Sequence, residues 1–239
     1  MDDLNQVVSQ YQPNAVTAIE NDLILHWYPK RIINRTGSVD SLLELGLGHG
    51  YTACCFNKVC NRHVILDGSS VVVDQFTADN PDFSGEVRTV FFEDYDSDML
   101  FDVVVMGFIL EHVDDPRQIL EKFKKNLRPG GKLYIAVPNA KSMNRRIGLE
   151  LGLIDDIYSL NDNDHALGHK RQYCLESLKQ EVSDAGYVVT HEEGIYLKPL
   201  PLPILKTLPE FQRNLEAMCE VGVDFPQLCV GLLLEAIVP

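Results

Sequence analysis

Ser41-Leu42-Leu43-Glu44-Leu45-Gly46-Leu47-Gly48-His49-Gly50-Tyr51-Thr52 is the stretch on which the reading of the chain turns. Leu42, Leu43 and Leu45 have the character of a buried strand end, and three glycines follow at every second position. A helix-compatible stretch begins near Tyr51. A strand that stops at Gly-x-Gly-x-Gly and feeds a helix lets the main chain approach a ligand closely, because no Cβ stands in the way. Glu44 places a carboxylate two positions before the first glycine, which bears on the ligand that such a turn would accept.

The flanking sequence alternates strand and helix signals. Upstream, Ala15, Val16, Ile19, Leu23, Ile24 and Trp27 recur at helical spacing, predicting an amphipathic helix over residues 15–33 that ends or kinks near Pro29. Downstream, residues 51–60 are the helix that follows the glycines. His63-Val64-Ile65-Leu66-Asp67 reads as a second strand, and Ser69 or Ser70 caps a helix carrying Val72, Val73 and Phe76. Val87-Arg88-Thr89-Val90-Phe91-Phe92 is a third strand, closed by Glu93-Asp94-Tyr95-Asp96. Phe101-Asp102-Val103-Val104-Val105-Met106 is a fourth, apolar enough to be buried on both faces. Asp114-Asp115-Pro116 starts a helix with Ile119, Leu120, Phe123 and Leu127 on one face, and Pro129-Gly130-Gly131 stops it. Lys132-Leu133-Tyr134-Ile135-Ala136-Val137 is the fifth strand.

This rhythm predicts an α/β fold: a doubly wound, mostly seven-stranded Rossmann-like sheet with helices on both faces. It breaks over residues 139–172. A helix over 173–185, a strand over 187–190, a helix near 209–220 and a last strand over 228–238 complete the reading. We expect one domain over residues 1–239, with an N-terminal helical cap (1–40). Two insertions, 139–172 and 194–227, would form a substrate lid, since insertions after strand ends are where ligands bind in open α/β sheets.

With 239 residues, 45% of them hydrophobic, the chain has an ordinary globular composition. No apolar run approaches the ~18 residues of a membrane span. The N-terminus Met1-Asp2-Asp3 lacks a basic region or signal core, so a cytoplasmic location is expected. None of the six cysteines forms a Cys-x-x-Cys pair, and they read as reduced packing residues. A net charge of −14 repels nucleic-acid phosphates. Lys122, Lys124, Lys125 and Arg128 cluster near a helix C-terminus, where cations suit the dipole, and read as a solvated face. The expected partner is a small-molecule acceptor, with no nucleic acid and no membrane; a homodimer is left open.

Two ligand classes compete for the glycine turn. In the dinucleotide fingerprint the third glycine falls three positions after the second. Here that position is Tyr51, and the third glycine is Gly50. The whole ordered set instead resembles the class I S-adenosylmethionine-dependent methyltransferases, from Leu43 to about Pro138. The parts are Glu44-x-Gly46-x-Gly48-x-Gly50, Val64-Ile65-Leu66-Asp67, Glu93-Asp94, Phe101-Asp102-Val103-Val104 through Leu110-Glu111-His112-Val113, and Leu127-Arg128-Pro129-Gly130-Gly131-Lys132-Leu133.

The resemblance implies S-adenosylmethionine as cofactor and a methyl-transfer activity. It implies that Gly46, Gly48 and Gly50 admit the amino-acid and sugar portions and that Glu44 holds polar groups at the first turn. Asp67-Gly68 would receive the ribose hydroxyls, a carboxylate being a natural bidentate acceptor; the alternative for Asp67 is a helix-capping acid. Glu93 or Asp94 would accept from the adenine amino group with Tyr95 over the ring; the alternative is a solvated loop. Gly107 and Phe108 would lie beside the transferred methyl, a tight strand exit being the other reason for glycine there.

Methyl transfer to a hydroxyl benefits from a base. The catalytic candidates are His112, His165 and His169, each with loop packing as its alternative. His165 and His169 have the i,i+4 spacing of a metal pair, but Gly168 weakens the helix and spacing fixes no third ligand, so no metal site is assigned. Gly168-His169, Arg171 and Tyr173 also resemble a subset of small-molecule methyltransferases that act on sugars or related polar metabolites. His26, Trp27 and Tyr28 can cap the cofactor or pack in the core, while Arg145, Arg146, Lys170 and Arg171 offer charge for an anionic acceptor or form a solvated rim. The rival readings are a methyltransferase-like binding or regulatory domain without activity and a dinucleotide-dependent oxidoreductase, the latter disfavoured by Tyr51 and Glu44.

Overall fold

The computed structural model describes residues 17–239. Ala15 and Val16, which opened the expected first helix, lie outside the described residues. The helix itself, α1, spans Thr17–Thr36 and carries Pro29 in its interior without ending there. Its apolar face explains the persistence: Tyr28 and Ile32, on either side of the proline, are both buried against the sheet.

The sheet has the order β3-β2-β1-β4-β5-β7-β6, with β1 Val39–Leu45, β2 Cys60–Asp67, β3 Glu86–Thr89, β4 Phe101–Gly107, β5 Leu127–Pro138, β6 Val188–Ile195 and β7 Gly231–Ile237. All pairings are parallel except those of β7, which runs antiparallel between β5 and β6. β2, β3 and β5 follow helices α2 (Tyr51–Phe56), α3 (Ser70–Asp79) and α4 (Pro116–Lys124) in turn. The predicted caps form: Ser69 accepts from the Val72 amide at 3.3 Å and Asp115 from the Gln118 amide at 3.0 Å.

Alternation along the strands divides the core. Leu43, Leu45, Val104, Met106, Ile135 and Leu234 face α4 and the later helix at Leu175–Asp184 on one side. Leu42, Val103, Val105, Tyr134 and Leu233 face α1 and α2 on the other. Helices on both faces bury most of the central strands, which is why β4 reads as an apolar run broken only by Asp102.

Several boundaries differ from the sequence reading. β3 stops at Thr89, leaving Val90-Phe91-Phe92 outside the strand. β5 begins at Leu127, before the Pro-Gly-Gly turn, with a register shift opposite Phe101–Val103. β6 runs on to Ile195 through His191, Glu192 and Glu193. Its polar residues have a structural use, since Glu193 receives two hydrogen bonds from the Arg31 guanidinium, at 2.7 and 2.9 Å. Beyond β5 come α5 (Met143–Glu150), α6 (Asp162–Ala166) and α7 (Leu175–Asp184), and after β6 come α8 (Leu202–Leu205), α9 (Phe211–Gly222) and a 3-10 turn at Pro226–Leu228. Among the described residues no helix is long and apolar enough to cross a membrane.

Candidate active site

The strand order reverses between β1 and β4, and open α/β sheets bind ligands at the carboxyl ends of the strands around such a switch point. β1 and β4 end side by side, with Leu45 opposite Met106. The glycine turn leaves β1 there. Gly46, Gly48 and Gly50 all have positive φ, at 83°, 51° and 73°, a conformation that L side chains seldom adopt. A Cβ on Gly46 would strike Ile109 and one on Gly50 would strike Phe76, so these two glycines let the turn pack on its supports. Gly48 is different: it is exposed, and nothing lies within 4 Å of where its Cβ would be. It is the open part of the turn.

Asp67 at the end of β2 braces the turn from below. Its carboxylate accepts the Leu47 amide at 2.8 Å and, through the other oxygen, the Ser69 amide at 2.8 Å. Burial nevertheless pushes its pKa up, against the pull of these amides. An ionised carboxylate has about four acceptor directions, so capacity for a ligand remains. Gly68 links it to the cap residue Ser69. Glu44 is buried, accepting a hydrogen bond from the Thr52 hydroxyl and lying 3.1 Å from His63 Nε2. Its place is behind the turn, where it fixes α2 to β1 and β2.

Gly107 closes β4 against α1: a Cβ there would collide with the Tyr28 hydroxyl. Phe108 follows with φ 58°, rare for an aromatic residue and the kind of local strain that collects at functional sites. Its ring meets that of Tyr28 edge-on at 5.5 Å. Nearby, His26 lies on Tyr51, the first residue of α2, with ring centroids 3.6 Å apart. Two of the three aromatic and imidazole groups expected of an N-terminal cap therefore do meet the residues around the glycine turn and the β4 exit.

Glu93 and Asp94 are exposed in the turn after β3. Tyr95 does not accompany them. It lies outside any strand, buried and stacked on Phe123 at 5.8 Å rather than exposed beside the two acids. The cations Arg145, Arg146, Lys170 and Arg171 are also engaged. Arg145 donates to the Ile157 and Ser159 carbonyls, Arg146 to that of Lys141, and Lys170 pairs with Asp114. Arg171 donates to the carbonyls of Leu110, Val113 and Asp114.

Those Arg171 bonds, with the Lys170 amide donating to the Glu111 carbonyl at 2.8 Å, staple the end of the first insertion to the loop after β4. His169 is thereby set against His112, edge to face with centroids 4.8 Å apart. His165 is exposed on α6 and outside this pair. The third member of the group is Glu111: one ligand atom from each of Glu111, His112 and His169 lies within 4.8 Å of the others. Glu111 is 1% exposed, and no other residue donates a hydrogen bond to its carboxylate. Burial pushes its carboxyl up to about 8. Burial, then the neighbouring His169, pushes His112 down to about 4. His169 Nδ1 lies 3.1 Å from Asp164 of α6, whose pKa is lowered by His169 and the Asn161 amide in spite of burial. In the sequence Glu111 is only one letter of a pattern; its burial with no donor from another residue is the signal, and that exists only in three dimensions.

The chain matches the family model described as "Methyltransferase domain" over residues 22–192. Comparison with the curated proteins finds no match. The N-methyltransferase NodS from Bradyrhizobium japonicum WM9, in complex with S-adenosyl-L-homocysteine, superposes with a TM-score of 0.63 at 14% identity, over 98% of this chain and 97% of that one. A chain from the complex of the Haloferax volcanii Trm112 methyltransferase activator with a candidate methyltransferase gives 0.66 at 21% identity, over 98% of each chain. The glycopeptide N-methyltransferase MtfA, complexed with sinefungin, gives 0.59 at 14% identity, over 89% of this chain and 85% of that one.

Proposed function

The chain belongs to the class I S-adenosylmethionine-dependent methyltransferases, and from that membership we propose that it methylates a hydroxyl of a small polar molecule such as a sugar. The observation that carries the cofactor half is the turn itself. Gly46 to Gly50 leave β1 at the switch point, open at Gly48, beside the Asp67 carboxylate, and contain no Lys or Arg. That lining fits a cationic cofactor without phosphate. A pyrophosphate would want cations and the longer glycine spacing that Tyr51 interrupts.

In this reading the amides of the glycine turn and the remaining acceptor directions of Asp67 hold the amino-acid and ribose ends, Gly68 keeping the Asp67 exit slim. Glu93 or Asp94, both exposed, accepts from the adenine amino group. Gly107 and Phe108 border the reacting end, with Tyr28 and His26 of α1 covering it. Glu44 acts indirectly, by fixing the turn. Bound there, S-adenosylmethionine supplies an electrophilic methyl on a sulfonium that departs as a neutral thioether, so no leaving-group acid is required.

The residues of the chain then have to align the acceptor, exclude water and handle one proton. Residues 139–172 and 194–227 would form the lid over the acceptor. His112 and His169, brought together at the end of the β4 loop, would hold the acceptor hydroxyl and relieve it of its proton; exposed His165 would at most contact the acceptor from the rim. The second reading is an amine acceptor, favoured by the N-methyltransferases among the solved structures that share this fold.

The test is a turnover screen with S-adenosylmethionine against glycans, phenols and amines. Methylation of an alcohol is expected. Turnover on amines alone would select the second reading, and turnover only on a protein or nucleic acid would overturn both. Tight S-adenosylhomocysteine binding with no turnover on any acceptor would favour a binding domain instead.

A further inference from the structure

We propose that Glu111, His112 and His169 form a binding site for a divalent first-row transition ion of the zinc class. Two imidazoles and one carboxylate are a donor set suited to such ions and poorly suited to magnesium or calcium, which take oxygen ligands. Three protein ligands also leave a coordination position open for water or substrate oxygen.

Three independent observations support the assignment. The first is proximity: the ligand atoms lie within 4.8 Å of one another. A tetrahedral ion with bonds of about 2.0–2.2 Å places its ligands about 3.3–3.6 Å apart, so closure takes side-chain shifts of about 1 Å. The second is Glu111, a carboxylate at 1% exposure to which no other residue donates a hydrogen bond, its own amide being the one donor at hand. Buried carboxylates are otherwise paired, because leaving one without a partner costs several kcal/mol or forces it to take up a proton. A cation would meet that need.

The third is the outer shell. Ligating histidines typically give their second nitrogen to a carboxylate or carbonyl, which fixes ring orientation. His169 has Asp164 at its Nδ1. That ring therefore has one nitrogen anchored and one left over. Asp164 is itself held by its capping box with Asn161 and by Gln172 Nε2 at 3.1 Å. Of the neighbouring cations, Lys170 is paired with Asp114, while Arg171 donates to three carbonyls and keeps a positive charge whose field reaches Glu111 and His112.

With an ion held here, His112 and His169 would serve as its ligands in place of the base role given above, and the ion would bind and acidify an acceptor hydroxyl, its proton passing to solvent. This catalytic use rests on the hydroxyl-methylation reading above; the binding itself does not. The decisive experiment titrates the chelator-treated full-length protein with Co2+, followed by visible absorption, and with Zn2+, followed by calorimetry. Each sample is also titrated with S-adenosylhomocysteine. One Co2+ per chain with ligand-field bands, displaced by Zn2+ and indifferent to Mg2+, is expected. Glu111→Gln and His169→Ala should each weaken the ion by at least about 10-fold while still binding S-adenosylhomocysteine, and His165→Ala should leave the ion affinity unchanged. Absence of Co2+ binding, or equal affinity in Glu111→Gln and His169→Ala, would overturn the site. If S-adenosylhomocysteine binds and Co2+ does not, the ion site fails and the methyl-transfer reading stands; the reverse result separates them the other way.

Discussion

His112 and His169 meet edge to face, 4.8 Å apart, although one belongs to the loop after β4 and the other to the far end of the first insertion. The contact is enforced from outside the pair, by Arg171 on the loop carbonyls and by Asp164 on the His169 ring. A pair held this way acts as a unit. Replacing either histidine by alanine should lower kcat by about 10²–10⁴-fold, and the double variant should lose little more than the worse single one. Calorimetry should show S-adenosylhomocysteine affinity within a few-fold of the parent. Additive losses in the double variant would mean that the two rings work separately.

Gly107 bears on the fit of α1 over the β4 exit. A methyl group at this position meets the Tyr28 hydroxyl and ring. Gly107→Ala should therefore displace Tyr28 and cut turnover at least about 10-fold, since small misplacements of reacting groups are costly. Gly107→Ala with Tyr28→Ala should recover part of the loss. Unchanged kinetics in Gly107→Ala would remove the Tyr28 contact from the account.

Thr52 tests the support behind the glycine turn. Its hydroxyl donates to the buried Glu44, which has His63 as its other neighbour. Thr52→Val keeps the shape and strands the carboxylate, so urea unfolding should show a loss of about 1–3 kcal/mol. A variant as stable as the parent would mean that Glu44 is not held by this bond.

Glu235 on β7 gives a pH signature. Arg35 at 2.9 Å, the Tyr134 hydroxyl at 2.8 Å and the Thr190 hydroxyl at 3.0 Å all favour its ionised form. Together they overcome burial and hold its pKa at about 2, below the ordinary 4.5. A depressed folded-state pKa means that the unfolded chain takes up this proton first. The stability contributed by Glu235 is thus present above the ordinary glutamate range and is lost as pH falls from about 4.5 toward about 2. Glu235→Gln should be less stable at neutral pH and should show a shallower decline across that window in denaturation measured against pH.

The sequence carried the fold because the physics of the central strands is local. Leu42 to Leu45 and Phe101 to Met106 are apolar apart from Glu44 and Asp102, and the glycine turn follows β1 directly. The boundaries that shifted were set by tertiary contacts. Glu193 pairs with Arg31 across the chain, so β6 continues through a polar run that resembles a loop. Pro29 stays inside α1 because Tyr28 and Ile32 are anchored in the core. The site divided the same way. The turn at Gly46 to Gly50 and the acid Asp67 at the end of β2 were legible as motifs, but the bracing of the turn by Asp67 through the Leu47 amide, 20 residues away, was not. Glu111 as a member of a cluster, and the turning inward of Tyr95, depended on how the distant 168–171 segment and α4 pack.

The most direct measurement is calorimetric titration of S-adenosylhomocysteine and of NADH into the full-length protein and its Asp67→Asn and Gly48→Val variants. The account predicts one S-adenosylhomocysteine per chain, no NADH binding, and an affinity at least about 10-fold weaker in each variant, equivalent to about 1.4 kcal/mol or more. Binding of NADH in place of S-adenosylhomocysteine, or S-adenosylhomocysteine affinity indifferent to both substitutions, would contradict it.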